Sequence, residues 1–223
     1  MLRVLLFRKP PWRVLSNDGR HTQLMGVTHP PQIAAIVLAG GLSRRAGSMN
    51  KLLLPLANAA LIVHAVEAAL GSLATPVIVV TGYDATRLRE VLGNRDLIYT
   101  HNAGYLEGQA SSIRCGLNAL PQDIDGALIC LGDMPQIQSQ HLNALVDSFM
   151  PNAISVPIYA GRRGNPALFP ASVFPQLNKL TGDIGGRELI ATGSTPVIEV
   201  EVDSPAIFYD VDHADDLDVL NGQ

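Results

Sequence analysis

The feature that most constrains this chain is an alternation. From Ile33 onward, short apolar runs are separated by amphipathic stretches of helical spacing. Ile33–Leu38 (IAAIVL) is continuously apolar and runs into Gly40-Gly41. A run with no polar face predicts a strand buried on both sides, as in parallel sheets. Pro76–Thr81, Leu97–Thr100 and Ala127–Leu131 repeat the pattern, and the last stops at Gly132-Asp133. Ala153–Ile158 and Pro196–Val200 read as further strands, with a late strand at Ile207–Tyr209.

Between these runs, Leu61, Ile62, Ala65, Val66, Ala69 and Leu70 recur at helical spacing, which predicts a helix over Ala59–Leu70. Asp84 is placed to cap a helix running through Leu92. Ser111–Leu120, Ser139–Phe149, Gly185–Ile190 and Ala214–Leu220 read as helices too. Strands alternating with helices at this spacing predict an α/β fold: a mostly parallel sheet with helices on both faces. In such sheets, ligands sit beyond the carboxyl ends of the strands. No repeat or linker divides residues 33–223, so one domain is expected there.

Residues 1–32 differ. They hold Arg3, Arg8, Lys9, Arg13 and Arg20 against Asp18 alone, so they carry +4 and the remainder −8. With Pro10, Pro11, Pro30 and Pro31, and only a short strand-like run at Arg3–Phe7, they read as a flexible basic extension. A net charge of −4 argues against a nucleic-acid partner. No apolar run is long enough to span a membrane. Cys115 and Cys130 stand in apolar surroundings outside any CxxC pair, which suits reduced thiols in a cytoplasmic protein. Of the six histidines, His64 and His141 fall in helices and His101 at a strand end; no Cys/His spacing points to zinc.

The chemistry-bearing residues follow strands. Gly40 and Gly41 let backbone N–H groups approach an anion. Ser43 adds a hydroxyl, and Arg45 and Lys51 add charge matched to a triphosphate. Gly47 is not followed by Lys-Ser or Lys-Thr, so this is not a Walker A loop. The same residues also fit an ordinary glycine-rich turn bearing surface cations. Asp133 fits two roles equally: a carboxylate holding Mg²⁺ against phosphates, or a turn cap with Pro135 setting the turn. Glu107–Ser112 fits a capping motif with Ser111 or Ser112 as N-cap, or an anion site at a helix start. Arg162–Pro166 has the make-up of a hairpin tip.

Leu38–Lys51 resembles the LAGG/LAAG-x-S-x-R-M-G-x-x-N-K signature of the MobA/MocA-like nucleotidyltransferases, which include molybdenum cofactor cytidylyltransferases and guanylyltransferases. Tyr105–Leu117, Leu131–Pro135, Arg163–Phe169, Gly182–Arg187 and Asp210–Leu217 are similar to its later motifs, in order, so the resemblance spans Ile33 to about Leu217. Ala46 replaces the usual Met, Gln109-Ala110 replaces Met-Ser, and His213-Ala214 replaces Thr-Pro. Gly40 is the commoner residue of the guanylyl branch, whereas the later motifs favour the cytidylyl branch.

The resemblance implies a three-layer Rossmann-like fold of the nucleotide-diphospho-sugar transferase type. It implies a nucleotide site at Leu38, Ala39, Gly40, Gly41, Ser43, Arg45, Lys51, Gly108, Ser111 and Asp133, with Arg45, Lys51 and Asp133 catalytic. It further implies Mg²⁺ on Asp133 and Asp212, with Asp183 the rival for the second ligand or an N-cap. Arg163, Gly164, Asn165, Pro166, Asp183 and Arg187 would face a molybdopterin-type acceptor. The implied substrates are CTP or GTP, and the implied protein partners are molybdenum hydroxylases under maturation.

Overall fold

A computed structural model of the chain describes residues 30–42, 50–213 and 216–217. Residues 1–29 of the extension with its Arg3–Phe7 run, Ser43, Arg45 and nearly all of the Ala214–Leu220 helix lie outside these residues.

Strand β1 (Ile33–Ala39) is buried along its whole length, which explains why its sequence lacks a polar face. Its side chains divide by parity. Ile33, Ala35, Val37 and Ala39 enter one core, and Ile36 and Leu38 enter another. The first core receives Leu61, Ile62 and Val66 of α1 (Leu61–Leu70), Leu88 and Leu92 of α2 (Ala85–Leu92), and Leu142 and Leu145 of α4 (Ser139–Asp147). The second receives Ile113 and Leu117 of α3 (Gln109–Asn118), Leu177 of α5 (Phe174–Leu177) and Leu189 of α6 (Gly186–Ala191). Helices thus cover both faces, giving three layers. Each fully buried Leu or Ile contributes roughly 1.5–3 kcal/mol.

The remaining strands are β2 (Pro55–Leu56), β3 (Ala59–Ala60), β4 (Val77–Thr81), β5 (Ile98–His101), β6 (Gly126–Leu131), β7 (Ile154–Tyr159), β8 (Arg162–Arg163), β9 (Ala167–Pro170) and β10 (Val197–Glu201). The main sheet runs β10-β7-β9-β6-β1-β4-β5, with β8 paired to β7. Pairs β6–β1, β1–β4, β4–β5 and β10–β7 are parallel, whereas β9 is antiparallel to both β6 and β7. The chain moves from β1 to β4 and β5 on one side, then returns to place β6 on the other. The ends of β1 and β6 therefore form the switch point where open α/β sheets bind ligands.

Several expectations are corrected. Ile207–Tyr209 is not a strand: Pro205–Phe208 forms a 3-10 turn, with Pro205 in its first turn and Ser204 Oγ accepting from the Ala206 N–H. Asp210 therefore ends no strand. Ala59 and Ala60 pair with Leu56 and Pro55 in a small hairpin, so α1 begins only at Leu61. Asp84 stands at the cap position of α2 with φ 59°, but its side chain makes no capping bond. It faces Arg87 at 3.5 Å instead. Ser111 and Ser112 lie inside α3, whose cap position is Gly108. The turn between β7 and β8 is Ala160-Gly161, both at positive φ, so Arg162 and Arg163 lie on the returning strand rather than at the tip.

Both cysteines are free thiols, and burial pushes Cys130 up to about 12. Among the described residues, no helix is long and apolar enough to cross a membrane.

Candidate active site

At the switch point, the Gly132 N–H donates to Leu38 O at 3.0 Å, holding the residue before Asp133 against the end of β1. Gly40 is buried and Gly41 exposed. Leu38 and Ala39 are buried at the end of β1. Asn50, 1% exposed, builds the next piece. Its Oδ1 accepts from the Leu52 N–H at 3.1 Å, capping a 3-10 turn at Lys51–Leu53. Its Nδ2 donates to Tyr83 O, beyond the end of β4, at 3.4 Å.

Lys51 is thereby carried to the strand ends. Its Nζ lies 2.7 Å from Asp133 Oδ2 and 3.6 Å from Asp212 Oδ1. Asp212 arrives along the segment after the 3-10 turn, where the Val211 N–H donates to Asp133 O at 2.9 Å. Asp216 Oδ2 accepts from the N–H groups of Asp212 and His213, at 2.9 and 2.8 Å. The His213 bond is the main reason the Asp216 carboxyl is held below its ordinary value. Asp133 Oδ1 is buried and has no hydrogen-bond partner among the described residues. A buried carboxylate oxygen without a partner is costly. Two carboxylates of which one keeps such an oxygen fit a hard divalent cation that also takes phosphate oxygens.

On the other side of β1, Gly82 follows β4. A Cβ there would stand 2.7 Å from Gly40 O and 2.7 Å from Tyr105 Cβ, so only glycine lets the two strand ends close. Sequence reasoning did not single out Gly82, although its signal was the same as that of Gly40: a glycine ending an apolar run. Gly108 has φ 96°, and a Cβ on it would meet the Gly182 carbonyl carbon at 2.4 Å. The Gly108 and Gly182 turns therefore touch. The Ala110 N–H donates to Gly182 O at 3.2 Å, and the Gln109 N–H donates to Asp183 Oδ1 at 3.3 Å. Asp183 thus serves the start of α3. It does not cap α6, whose cap position is Gly185. Between the rival carboxylates, it is Asp212 that the structure brings to Lys51.

Residues 35–197 match the family described as MobA-like NTP transferase domain. The chain belongs to this family of nucleotidyltransferases. It is 31% identical over 172 residues to the purine catabolism protein PucB of Bacillus subtilis, covering 73% of this chain and 82% of that one. It is 32% identical over 136 residues to the bifunctional protein GlmU of Kineococcus radiotolerans, covering 60% of this chain but only 28% of that longer protein. Among solved structures, Rv0371c of Mycobacterium tuberculosis superposes with a TM-score of 0.78 at 30% identity, over 87% of this chain and 100% of that one. Rv0371c has also been solved in complex with manganese.

In this nucleotidyltransferase, the Arg162–Pro166 segment packs against the segment leading to Asp212. Gly164 N–H donates to Pro157 O and Asn165 N–H to Ile207 O, each at 2.9 Å. A Cβ on Gly164 would stand 2.4 Å from Ile207 O. Arg162 lies 4.6 Å over the Phe208 ring, and Arg163 Nε donates to Glu199 Oε1 at 2.8 Å. Pro166 is buried and borders a small internal void beside Met134 and Leu142. Arg187 is exposed on α6.

Proposed function

We propose that this chain transfers CMP from CTP to a molybdopterin-type acceptor, with Mg²⁺, in the cytoplasm. The observation that carries the reading is the Lys51 ammonium fixed between Asp133 and Asp212 at the β1–β6 switch point, beside a buried Asp133 oxygen that has no hydrogen-bond partner among the described residues.

In this reading, a phosphate oxygen of the acceptor bonds to the α-phosphorus of the nucleotide. The bond from that phosphorus to its bridging oxygen breaks, and pyrophosphate leaves. Both reactants are anionic, so the task is charge compensation and alignment rather than proton transfer. A phosphate nucleophile is already ionised near neutrality, so no general base is needed. Asp133 and Asp212 would hold Mg²⁺, which supplies charge neutralisation and orientation at the phosphates. The N–H groups of Gly40 and Gly41, together with Ser43, Arg45 and Lys51, take the β- and γ-phosphates and stabilise the leaving group. Gly108 and Ser111 border the base. Arg163, Gly164, Asn165, Pro166, Asp183 and Arg187 form the acceptor side.

The test has two stages. Selective binding raises the melting temperature, so CTP with Mg²⁺ is expected to raise it more than GTP with Mg²⁺. Radiolabelled CTP and GTP are then offered with molybdopterin, and label is expected in a dinucleotide product from CTP. Transfer from GTP alone reassigns the base. Transfer from neither rejects the acceptor. The likeness to a purine catabolism protein favours a second reading: a nucleotide-binding accessory factor in the maturation of a molybdenum hydroxylase. Pyrophosphate release by the isolated chain separates the enzyme from the accessory factor.

A further inference from the structure

Lys51 bridges two carboxylates in the way a divalent cation would. Its Nζ lies 2.7 Å from Asp133 Oδ2, the length of a charge-assisted hydrogen bond, and 3.6 Å from Asp212 Oδ1. Lys51 and Asp133 expose only 14% and 20% of their side chains, so water screens their contact poorly. Two carboxylates brought to one ammonium repel each other, and the ammonium offsets that repulsion. The chain thus supplies the pair with a cation of its own.

The three partners differ in how they are held. Asp133 is fixed through its backbone: the Gly132 N–H donates to Leu38 O at 3.0 Å, and Asp133 O accepts from the Val211 N–H at 2.9 Å. Asp212 is fixed by Asp216, whose Oδ2 accepts from the N–H groups of Asp212 and His213. The Asp216 N–H donates in turn to His213 O at 3.2 Å. This is the carboxylate half of a capping box, and it pins the turn that carries Asp212. Lys51 is anchored at its backbone by the Asn50 cap, but its ammonium ends a flexible four-carbon stem. The carboxylates are therefore the partners that stay, and the ammonium is the partner that can be drawn off.

Mg²⁺ dehydrates reluctantly and binds through one or two carboxylates together with substrate phosphates. An ammonium already seated on the same carboxylates opposes a divalent cation that arrives without phosphates. Nucleotide phosphates attract the ammonium and so release the carboxylates to the metal that travels with them. We propose that Lys51 is an internal counter-cation, which keeps the Asp133–Asp212 pair closed to a bare divalent metal until a nucleoside triphosphate draws it away. Metal and nucleotide then bind as a unit, each raising the affinity for the other by the same factor. The inference rests on the nucleotide and metal site proposed above.

The probe is Mn²⁺, followed by electron paramagnetic resonance on the full chain without nucleotide. The wild type is expected to bind it weakly. Lys51→Met, which keeps the stem and removes the charge, is expected to bind it at least about tenfold more tightly, the scale of one charge-assisted hydrogen bond. Lys51→Arg, which keeps the charge, is expected to stay weak. Adding Asp212→Asn to Lys51→Met should abolish the gain, which locates the metal at this pair. Mn²⁺ should also raise the melting temperature of Lys51→Met more than that of the wild type. If Lys51→Met does not fold, Lys51→Gln replaces it in the same titration. Equal Mn²⁺ affinity in the wild type and the uncharged variant overturns the inference, whether both bind tightly or neither binds. A gain shared by Lys51→Arg, or one that survives Asp212→Asn, overturns it too. The wild type titrated with Mn·CTP and Mn·GTP judges the reading beneath: binding of either leaves the nucleotide site standing when the inference fails, and binding of neither removes the site as well.

Discussion

The two sides of the β1 strand end are built from different chemistry. On the β6 side stand full charges: Lys51 between Asp133 and Asp212. On the β4–β5 side stands a neutral network of Asn102, Ser111 and Ser112. Charge–charge forces are strong but weakly directional, which suits phosphates common to every nucleoside triphosphate. Neutral hydrogen bonds are weaker and geometry-bound, which suits discrimination between bases. The comparison teaches that loss of a charge on one side should harm all nucleotides alike, while loss of a hydroxyl on the other should change preference.

Asp133→Ala should break the charged side most severely. Mg·nucleotide binding is expected to disappear, with turnover down by about a thousandfold or more. Unchanged Mg·nucleotide affinity by calorimetry would remove Asp133 from the site. Lys51→Ala should cost about a hundredfold in turnover, equally for CTP and GTP, with a milder loss of folding stability. Arg45→Ala should act in the same direction, and near-normal steady-state kinetics in both variants would dismiss the pyrophosphate assignment.

Gly164→Ala sharpens the comparison by acting at a distance. Its Cβ would press on Ile207 O, in the turn that leads to Asp212. Overpacking of this kind costs about 1–3 kcal/mol, and displacement of Asp212 should lower turnover along with stability. Arg163→Ala supplies the contrast. Its half-exposed ion pair with Glu199 is worth under about 1 kcal/mol, so a raised KM for the acceptor with little change in melting temperature would mark acceptor contact. If Gly164→Ala keeps full activity, the Arg162–Pro166 segment does not position Asp212.

The smallest expected effect lies away from both sides. His141 is buried in the first turn of α4, where its Nδ1 accepts from the Gln138 N–H at 3.0 Å. Burial lowers its pKa, against the opposing pull of Asp203, 4.0 Å away. Between the unfolded value near 6.5 and the lower folded value, the unfolded chain binds more protons. Its contribution to stability is therefore complete above pH 6.5 and declines as pH falls through that range. His141→Gln should flatten the pH dependence of the melting temperature there. An unaltered slope would show that another group sets it.

Local physical chemistry made the strands readable. Ile33–Leu38 and Ala127–Leu131 lack a polar face because both sides are buried. Strand β9 escapes a local reading because Pro166 precedes it and Pro170 is the last of its four residues, which reads as a loop. Ile207–Tyr209 was misread because its apolar residues match a strand, while Pro205 and the Ser204 cap favour a tight turn. The choice between Asp183 and Asp212 was undecidable locally, since both follow plausible turns.

By itself, then, the sequence determined the class of sheet, the two buried faces, the glycine turn and the family, because periodicity and motif spacing are properties of neighbouring residues. Only the tertiary structure decided that Lys51, Asp133 and Asp212 converge, that Asp183 serves α3, and that Asn102 ties both serines of α3 to the end of β5. Those outcomes depend on which strands lie side by side and which backbone amides claim each polar atom, and residues far apart in the chain settle both.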